Sequence, residues 1–387
     1  MTRAFIIAAD RIVAPERDLV PGIVEIHGGR IVRVREGQAR RADVRIPGIL
    51  APGLIDLQIN GAAGVDFATC ERAEDLAPVR RFLLATGVTA YLPTLISSPL
   101  PQLHTALRRW ALFAHAGGGP RILGAHVEGP YLNPSYAGAH HPDLLRPPDP
   151  TELAALLDSA PGLVRLLTLA PELPGAASLI ELAVRRKVAV AAGHSSATFV
   201  EAQAAFGAGV RMVTHVFNAM RPMHHREPGI AGAALVDRRV VCGLIADLVH
   251  VHPSVILMVA SLKGSSRVAL VTDAVAPAGG GPDGALAGRP LAVTDAPRLA
   301  DGTLAGSLGT LDQAIRNVVS LGIAPRDAVL MASAVPASVI RRRDLGRIAP
   351  GARADLVAFD RRLRVRTVYL DGGEVFPSRG ITPKATE

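Results

Sequence analysis

Three side chains with the donor set of a catalytic metal site stand at equivalent places in this sequence. Glu128 in "HVEGP", His194 in "AAGHSSAT" and His215 in "THVFNAM" each follow or end an apolar run with β propensity. One carboxylate oxygen and two imidazole nitrogens, with a fourth position open to water, are what a catalytic zinc-type site requires. Asp273, in "LVTDAVAPAGG", ends a similar run; a carboxylate there could take a proton from an activated water and hand it to a leaving amine. Structural roles compete with each assignment. Glu128 could cap the following segment, His215 could hydrogen-bond within the core, and Asp273 could be an ordinary buried acceptor. A single histidine at a strand end, as His194 is when taken alone, is more often satisfied structure than a ligand.

Repetition favours the chemical reading. Eight apolar strand-like runs recur: "LAPGLIDLQIN", "GVTAYLPTLI", "RILGAHVEGP", "VRLLTLAPE", "VAVAAGHS", "RMVTHVFNAM", "VVCGLIADLVH" and "RVALVTDA". Pieces between them, such as "PLPQLHTALRRWALFAHA" and "DPTELAALLDSA", carry helical apolar spacing with Pro or Asp near their starts. This alternation predicts an α/β fold, a (β/α)8 TIM-type barrel. A doubly wound open sheet is the alternative, but no GxGxxG turn follows the first strand. Barrel chemistry collects where the strands end. Those ends carry Asp56, Gln58 and Asn60; Thr94; His126 and Glu128; Glu172; His194; His215 and Asn218; Asp247 and His250; and Asp273. The chain ends differ in texture, with short β-prone segments such as "FIIAADRIV", "GIVEIHGGRIVRVRE" and "ADLVAFDRRLRVRTVYLDGGEVF". They predict a small β-sandwich domain shared by both termini, residues 1–50 and 346–380, around a catalytic barrel of residues 51–345, with a tail at 381–387.

Composition narrows the function classes. The formal charge is +8, carried almost wholly by arginine, yet aromatic residues make up only 4%, too few for a base-stacking platform. Nucleic acid is therefore an unexpected partner, whereas small anions would be steered by such a field. No uninterrupted apolar stretch reaches the roughly 18 residues that span a membrane. Cys70 and Cys242 are the only cysteines and have no metal-type spacing, so no disulfide framework is expected. These features, with an N-terminal apolar run too short for a signal core, predict a cytoplasmic protein.

"PGLIDLQINGAAGVDF", "HVEGPYLNPSYAGAHHP", "AAGHSSAT", "THVFNAMRPMHHREPGIAGA", "LVTDAVAPAGG" and "LAGSLGT" resemble, in order, the motifs of the N-acetylglucosamine-6-phosphate deacetylases of the amidohydrolase superfamily. The resemblance covers nearly the whole chain. It implies a divalent ion, zinc, held by Glu128, His194 and His215, with Asp273 as general base and then acid, and His140 polarising the acetamide carbonyl. Gln58, Asn60, Ala139, Asn218, Ala219, Arg226, His250, Leu304, Ala305 and Gly306 stand where such enzymes bind the phosphorylated amino sugar. Some of these contacts arrive from a partner subunit in that family, which implies a homodimer with a shared active site. Many amidohydrolases carry His-x-His after the first strand for a second metal. Here Gln58 and Asn60 replace both histidines, and neutral amides are poor ligands, so one metal is expected. A further departure is Leu248 in "DLVHVH", where relatives carry glycine. N-acetylgalactosamine 6-phosphate or an N-acyl D-amino acid is an alternative substrate, and a catalytically silent scaffold is the non-enzymatic alternative.

Overall fold

The alternation of apolar runs and amphipathic segments folds as a parallel barrel. The structure, a computed structural model, describes residues 4–280 and 284–377, so the tail at 381–387 lies outside the described residues. The barrel strands are β1 Leu54–Ile59, β2 Val88–Ile96, β3 Ala125–Glu128, β4 Val164–Leu169, β5 Ala189–Ala192, β6 Met212–Val213, β7 Val241–Ile245 and β8 Val268–Val271. Each pairs in parallel with the next. Burial on both faces explains why they read as unbroken apolar runs rather than alternating ones. Helices Leu100–Phe113, Pro150–Asp158 and Phe199–Ala208 are among the crossovers. Proline in the first turn starts the first two, and the side chains of Asp149 and Thr198 cap the second and third by accepting backbone N–H groups.

The barrel closes at its mouth. Asp273 N–H donates to the Gln58 carbonyl at 2.8 Å and Asn60 N–H to the Ala274 carbonyl at 2.7 Å. Beside this seam the Thr272 hydroxyl donates to Asp56 Oδ2 at 2.6 Å. Burial pushes Asp56 up to about 7, against the lowering effect of these bonds. The seam therefore brings Gln58, Asn60 and Asp273 together. Farther down, Leu57, Leu92, Leu166 and Met212 pack with Val335, Val339 and Ile340, filling the barrel floor. Two residues onward toward the mouth the inward side chains turn polar. His126 Nε2 lies 2.8 Å from the Thr168 hydroxyl, which lies 2.7 Å from that of Thr214.

Segments from both chain ends form the second body. Phe5–Val13, Asp18–Leu19, Gly22–His27, Arg30–Glu36 and Val44–Pro52 join Leu356–Phe359, Val365–Leu370 and Gly373–Phe376 in one eight-stranded sheet. The expected sandwich is thus a single sheet folded over. Backbone bonds from Ile31 to Ala352 and from Ala354 to Gly29 draw its far hairpin back, and Ile7, Val24, Ile31, Leu356 and Tyr369 share one core. Among the described residues no helix is long and apolar enough to cross a membrane.

Arg121, in the segment entering β3, links the two bodies. Its guanidinium takes both oxygens of buried Asp355, at 2.9 and 3.3 Å, and also reaches Asp371. Arg121→Met should lower the unfolding free energy by about 2 kcal/mol, because it strands a buried carboxylate. Arg361→Met, at an exposed 3.7 Å pair with Asp10, should leave the melting temperature unchanged. Thermal melts of the two variants check the contrast.

Candidate active site

Three strand ends converge on one buried oxygen. Glu128 Oε1 lies 3.1 Å from His215 Nε2 and 3.3 Å from His194 Nε2, and the two nitrogens are 3.2 Å apart. A tetrahedral ion with ligands at about 2.0–2.1 Å sets those ligands about 3.3 Å from one another. The triangle therefore has the size of one face of a coordination tetrahedron. The tautomer of His194 fits as well: its Nδ1–H donates to the Tyr136 carbonyl at 2.9 Å, which leaves the Nε2 lone pair free. Burial would raise the Glu128 pKa, but the two imidazoles of His194 and His215 set against it hold it well below the usual carboxylate range. Gln58 Nε2 donates to the same oxygen at 3.0 Å.

Around this triangle sit the groups that can move or hold protons. Asn60 Nδ2 donates to Asp273 Oδ1 at 2.7 Å. Burial pushes Asp273 up to about 6, and the negative charge of Glu128 adds to the rise. The amide oxygens of Gln58 and Asn60 are buried with no partner among the described residues. Both amides thus spend N–H groups on carboxylates. His140 Nδ1 accepts from the Ser97 backbone N–H at 3.3 Å and lies 2.8 Å from its hydroxyl. A backbone N–H can only donate, so the ring proton resides on Nε2. Burial lowers His140 to about 3, making it a neutral donor whose Nε2 stands 3.9 Å from Glu128 Oε2.

The loops are held tightly. Glu172 accepts from Asn133 Nδ2, the Ser195 hydroxyl and the Ser196 backbone N–H, joining the segment before His140 to the turn after His194. Gly129 has φ +85°, and a Cβ there would stand 2.3 Å from Ser97 Oγ, so only glycine lets the chain turn over Ser97. Several site residues occupy the left-handed region, with φ of +50° at His194, +27° at His215, +77° at Phe217, +49° at Ala219 and +51° at Asp273. Such strain clusters at functional sites.

A cavity of about 300 Å3 opens onto these groups, lined by Asn60, Glu128, Ala139, His140, His194, His215, Asn218, Ala219, His250, Asp273, Leu304 and Gly306. Two other residues named from the sequence sit behind this wall: Gln58 is 1% exposed and Ala305 is fully buried. Arg226 is not on the wall. It lies on an exposed loop, its Nη1 2.9 Å from His225 Nε2. The sequence reading missed Ile96, Phe217, Leu286 and Thr303 on the wall, and Ser97 behind His140. Ser97 carried a signal, a polar residue just past a strand. Leu286 and Thr303 did not, because they come from the irregular segment that holds the hairpins Ala285–Leu286/Arg289–Pro290 and Ala292–Val293/Pro297–Arg298. Arg289 of that segment donates to the Ala139 carbonyl at 2.6 Å.

The amidohydrolase family pattern matches residues 49–375. The chain is 39% identical to N-acetylgalactosamine-6-phosphate deacetylase of Escherichia coli O157:H7, over 84% of this chain and 87% of that protein. It is 35% identical to the human N-acetylglucosamine-6-phosphate deacetylase, over 90% of each. Among solved structures it resembles a mutant N-acetyl-D-glucosamine-6-phosphate deacetylase from Mycobacterium smegmatis in complex with N-acetyl-D-glucosamine-6-phosphate. That match has a TM-score of 0.91 and 34% identity, covering 96% of this chain and 99% of the other.

The loop after β7 shows how Leu248 is accommodated. Asp247 Oδ1 accepts from the backbone N–H groups of Val249 and His250, while its Oδ2 holds His250 Nδ1 at 2.7 Å. Leu248 takes φ +69°, the conformation a glycine would adopt freely, so the loop keeps its course and His250 stays on the cavity wall. An L-residue there costs about 1–2 kcal/mol, partly offset by glycine's greater freedom when unfolded. Leu248→Gly should therefore raise stability by up to about 1 kcal/mol, whereas β-branched Leu248→Val should lower it. The reverse order of melting temperatures would show that the loop does not hold residue 248 in this conformation.

Proposed function

The chain belongs to the amidohydrolase family, and from that membership we propose that it hydrolyses the acetamide of N-acetylglucosamine 6-phosphate to acetate and glucosamine 6-phosphate. The observation that carries the reading is the buried Glu128–His194–His215 triangle facing a base–amide pair, Asp273 and Asn60, across one cavity. These three ligands would hold one zinc ion, which when bound supplies Lewis-acid polarisation and a nucleophile at neutral pH. The amides at 58 and 60, engaged with carboxylates, support a single ion. A complete donor set together with a poised base supports turnover rather than a silent scaffold.

Asp273 takes the proton of the attacking water. Asn60 fixes Oδ1, which leaves Oδ2 to carry that proton to the departing nitrogen, where it neutralises the leaving amine. His140 Nε2–H donates to the carbonyl oxygen as negative charge grows on it. Asn218, Ala219, Ala139 and the Leu304–Gly306 segment would position the sugar, and His250, braced by Asp247, would meet its phosphate. Arg226 is exposed and is not on the wall of its own cavity, which leaves it free to reach the partner's site in a homodimer. Two buried free thiols, Cys70 and Cys242, suit a reducing cytoplasm.

Acetate release tests the substrate. N-acetylglucosamine 6-phosphate should exceed the plain sugar in kcat/KM by roughly 10²-fold or more, two charge-assisted contacts being worth on the order of 1.5–3 kcal/mol each. Arg226→Ala should erase most of that preference, and equal kcat/KM for both sugars in the wild type would overturn the phosphate site. The galacto epimer belongs in the same panel, because the 39% identity to the galactosamine enzyme exceeds the 35% to the human glucosamine enzyme. The ion and base are tested separately. Elemental analysis should find about one equivalent of zinc per chain, and His194→Ala should lose it together with activity. Asp273→Asn should keep the ion while kcat falls at least roughly 10²-fold. Full activity in metal-free protein would end the metal assignment.

A further inference from the structure

At the barrel end opposite the catalytic mouth lies a second, larger cavity of about 740 Å3. It sits where the barrel meets the terminal sheet. Val13 and Pro15 contribute from the sheet side, Ser265–Arg267 from the loop entering β8, and Leu330 to Arg347 from the segment that floors the barrel. Domain junctions are where small-molecule sites concentrate, and this volume falls within their usual range of roughly 300–1,000 Å3. The two cavities are separate: Arg267 precedes β8 and Asp273 follows it, about 20 Å apart at the rise of a strand.

Its charge is one-sided. Arg267, Arg341, Arg342, Arg343 and Arg347 line it, and no Asp or Glu does. Two of the five are already engaged. Arg342 makes a two-armed pair with Asp344, 2.9 Å on each arm, and Arg267 donates to the carbonyls of Arg238 and Ser266. The guanidinium groups of Arg341, Arg343 and Arg347, all three exposed residues, make no hydrogen bond or ion pair among the described residues. Three unpaired guanidinium groups thus fall within seven residues of one cavity wall. The backbone that carries them is nonetheless firmly built. Arg341 has φ +58°, Leu345 is 4% exposed, and a Cβ on Gly346 would stand 2.4 Å from the Ser333 carbonyl, so this turn is packed against the helix Ala334–Val339. The wall also offers hydroxyls at Ser265, Ser266 and Ser338, and aliphatic surface at Val13, Leu330, Val335 and Leu345.

We propose that this cavity binds a small organic polyphosphate of the nucleoside di- or triphosphate class. Its phosphates would pair with Arg341, Arg343 and Arg347, and its organic part would lie against the aliphatic wall. Guanidinium forks match phosphate oxygens two at a time and give up their hydration readily, and several unpaired cations call for a ligand with more than one phosphate charge. A nucleic-acid strand fits less well, because the charges line a concavity rather than a stripe and no aromatic side chain is present for bases to stack on. The floor of such a barrel serves stability rather than chemistry, so the bound ligand stabilises the native state without entering the reaction.

Titration calorimetry on the intact protein decides the matter, with magnesium in excess and the catalytic mouth saturated with glucosamine 6-phosphate. ATP should bind, and inorganic tripolyphosphate more weakly, while adenosine should not; raising salt should weaken both anions. The double variant Arg343→Ala/Arg347→Ala should bind ATP at least about tenfold more weakly and keep wild-type acetate release. Arg343→Lys/Arg347→Lys, which keeps charge but loses the fork, should fall between. ATP affinity unchanged in the alanine variant, adenosine binding as tightly as ATP, displacement of ATP by glucosamine 6-phosphate, or no ATP binding at all would each overturn the proposal.

Discussion

A carboxylate removed from water sets the terms for this fold. Glu128 ends β3 inside the barrel with 2% of its surface exposed, and an unpaired charge there would cost several kcal/mol. Gln58 from β1, His194 beyond β5 and His215 beyond β6 all turn toward the same oxygen. A neutral amide and two neutral imidazoles leave that negative charge unbalanced, and His215 Nδ1 is itself buried with no partner among the described residues. The arrangement is at ease only with positive charge at its centre, either a proton shared along the triangle or a cation. A closed ring of parallel strands delivers four such ends to one point, so here the burial of this charge depends on the barrel architecture.

Convergence is achieved against backbone preference. His194, His215, Phe217, Ala219, Leu248 and Asp273 all take positive φ, at a cost of order 1–3 kcal/mol apiece. The compensating bonds lie directly behind them. Glu172 gathers donors on both sides of the His194 turn, Asp247 caps the loop of Leu248 and His250, and the seam between residues 58–60 and 273–274 holds Asp273 from its backbone. Rigid loops are therefore bought with buried polar bonds, and the side chains that face the cavity are left little freedom to relax.

This division explains what the sequence discloses. Strands buried on both faces leave long apolar runs, and a site built on strand ends leaves polar residues at the close of each run. Glu128, His194, His215 and Asp273 were legible for that reason. Ser97 is marked as a polar residue just past a strand, but that its backbone N–H also reaches His140 is something its residue type does not reveal. Leu286 and Thr303 reach the cavity from short hairpins whose residues follow neither the helical nor the strand period. The placement of Arg226 depends on how one loop leaves the barrel. The terminal sheet shows the same limit: its strands are local features, but folding one sheet over depends on contacts between residues about 320 positions apart, such as Ile31 and Ala352. Charge that looks scattered along the chain gathers around the lower cavity only because β8 and the segment after Leu330 begin at the same end.

The two carboxylates at the mouth illustrate how environment divides roles between like groups. Glu128 and Asp273 are both buried, and each raises the cost of charge on the other, so their affinities for a proton must separate. The histidines surround Glu128 and hold it ionised. Asp273 has an amide on one oxygen and more distant positive charge, and burial lifts it to about 6. One carboxylate is thereby fixed as a permanent anion and the other can gain or lose a proton near neutrality. The amides at 58 and 60 keep that separation. Each gives one N–H to a different carboxylate and adds no charge of its own. Imidazoles in their place could carry positive charge beside Asp273 and would pull its proton affinity down toward that of Glu128, and the separation between the two carboxylates would be lost.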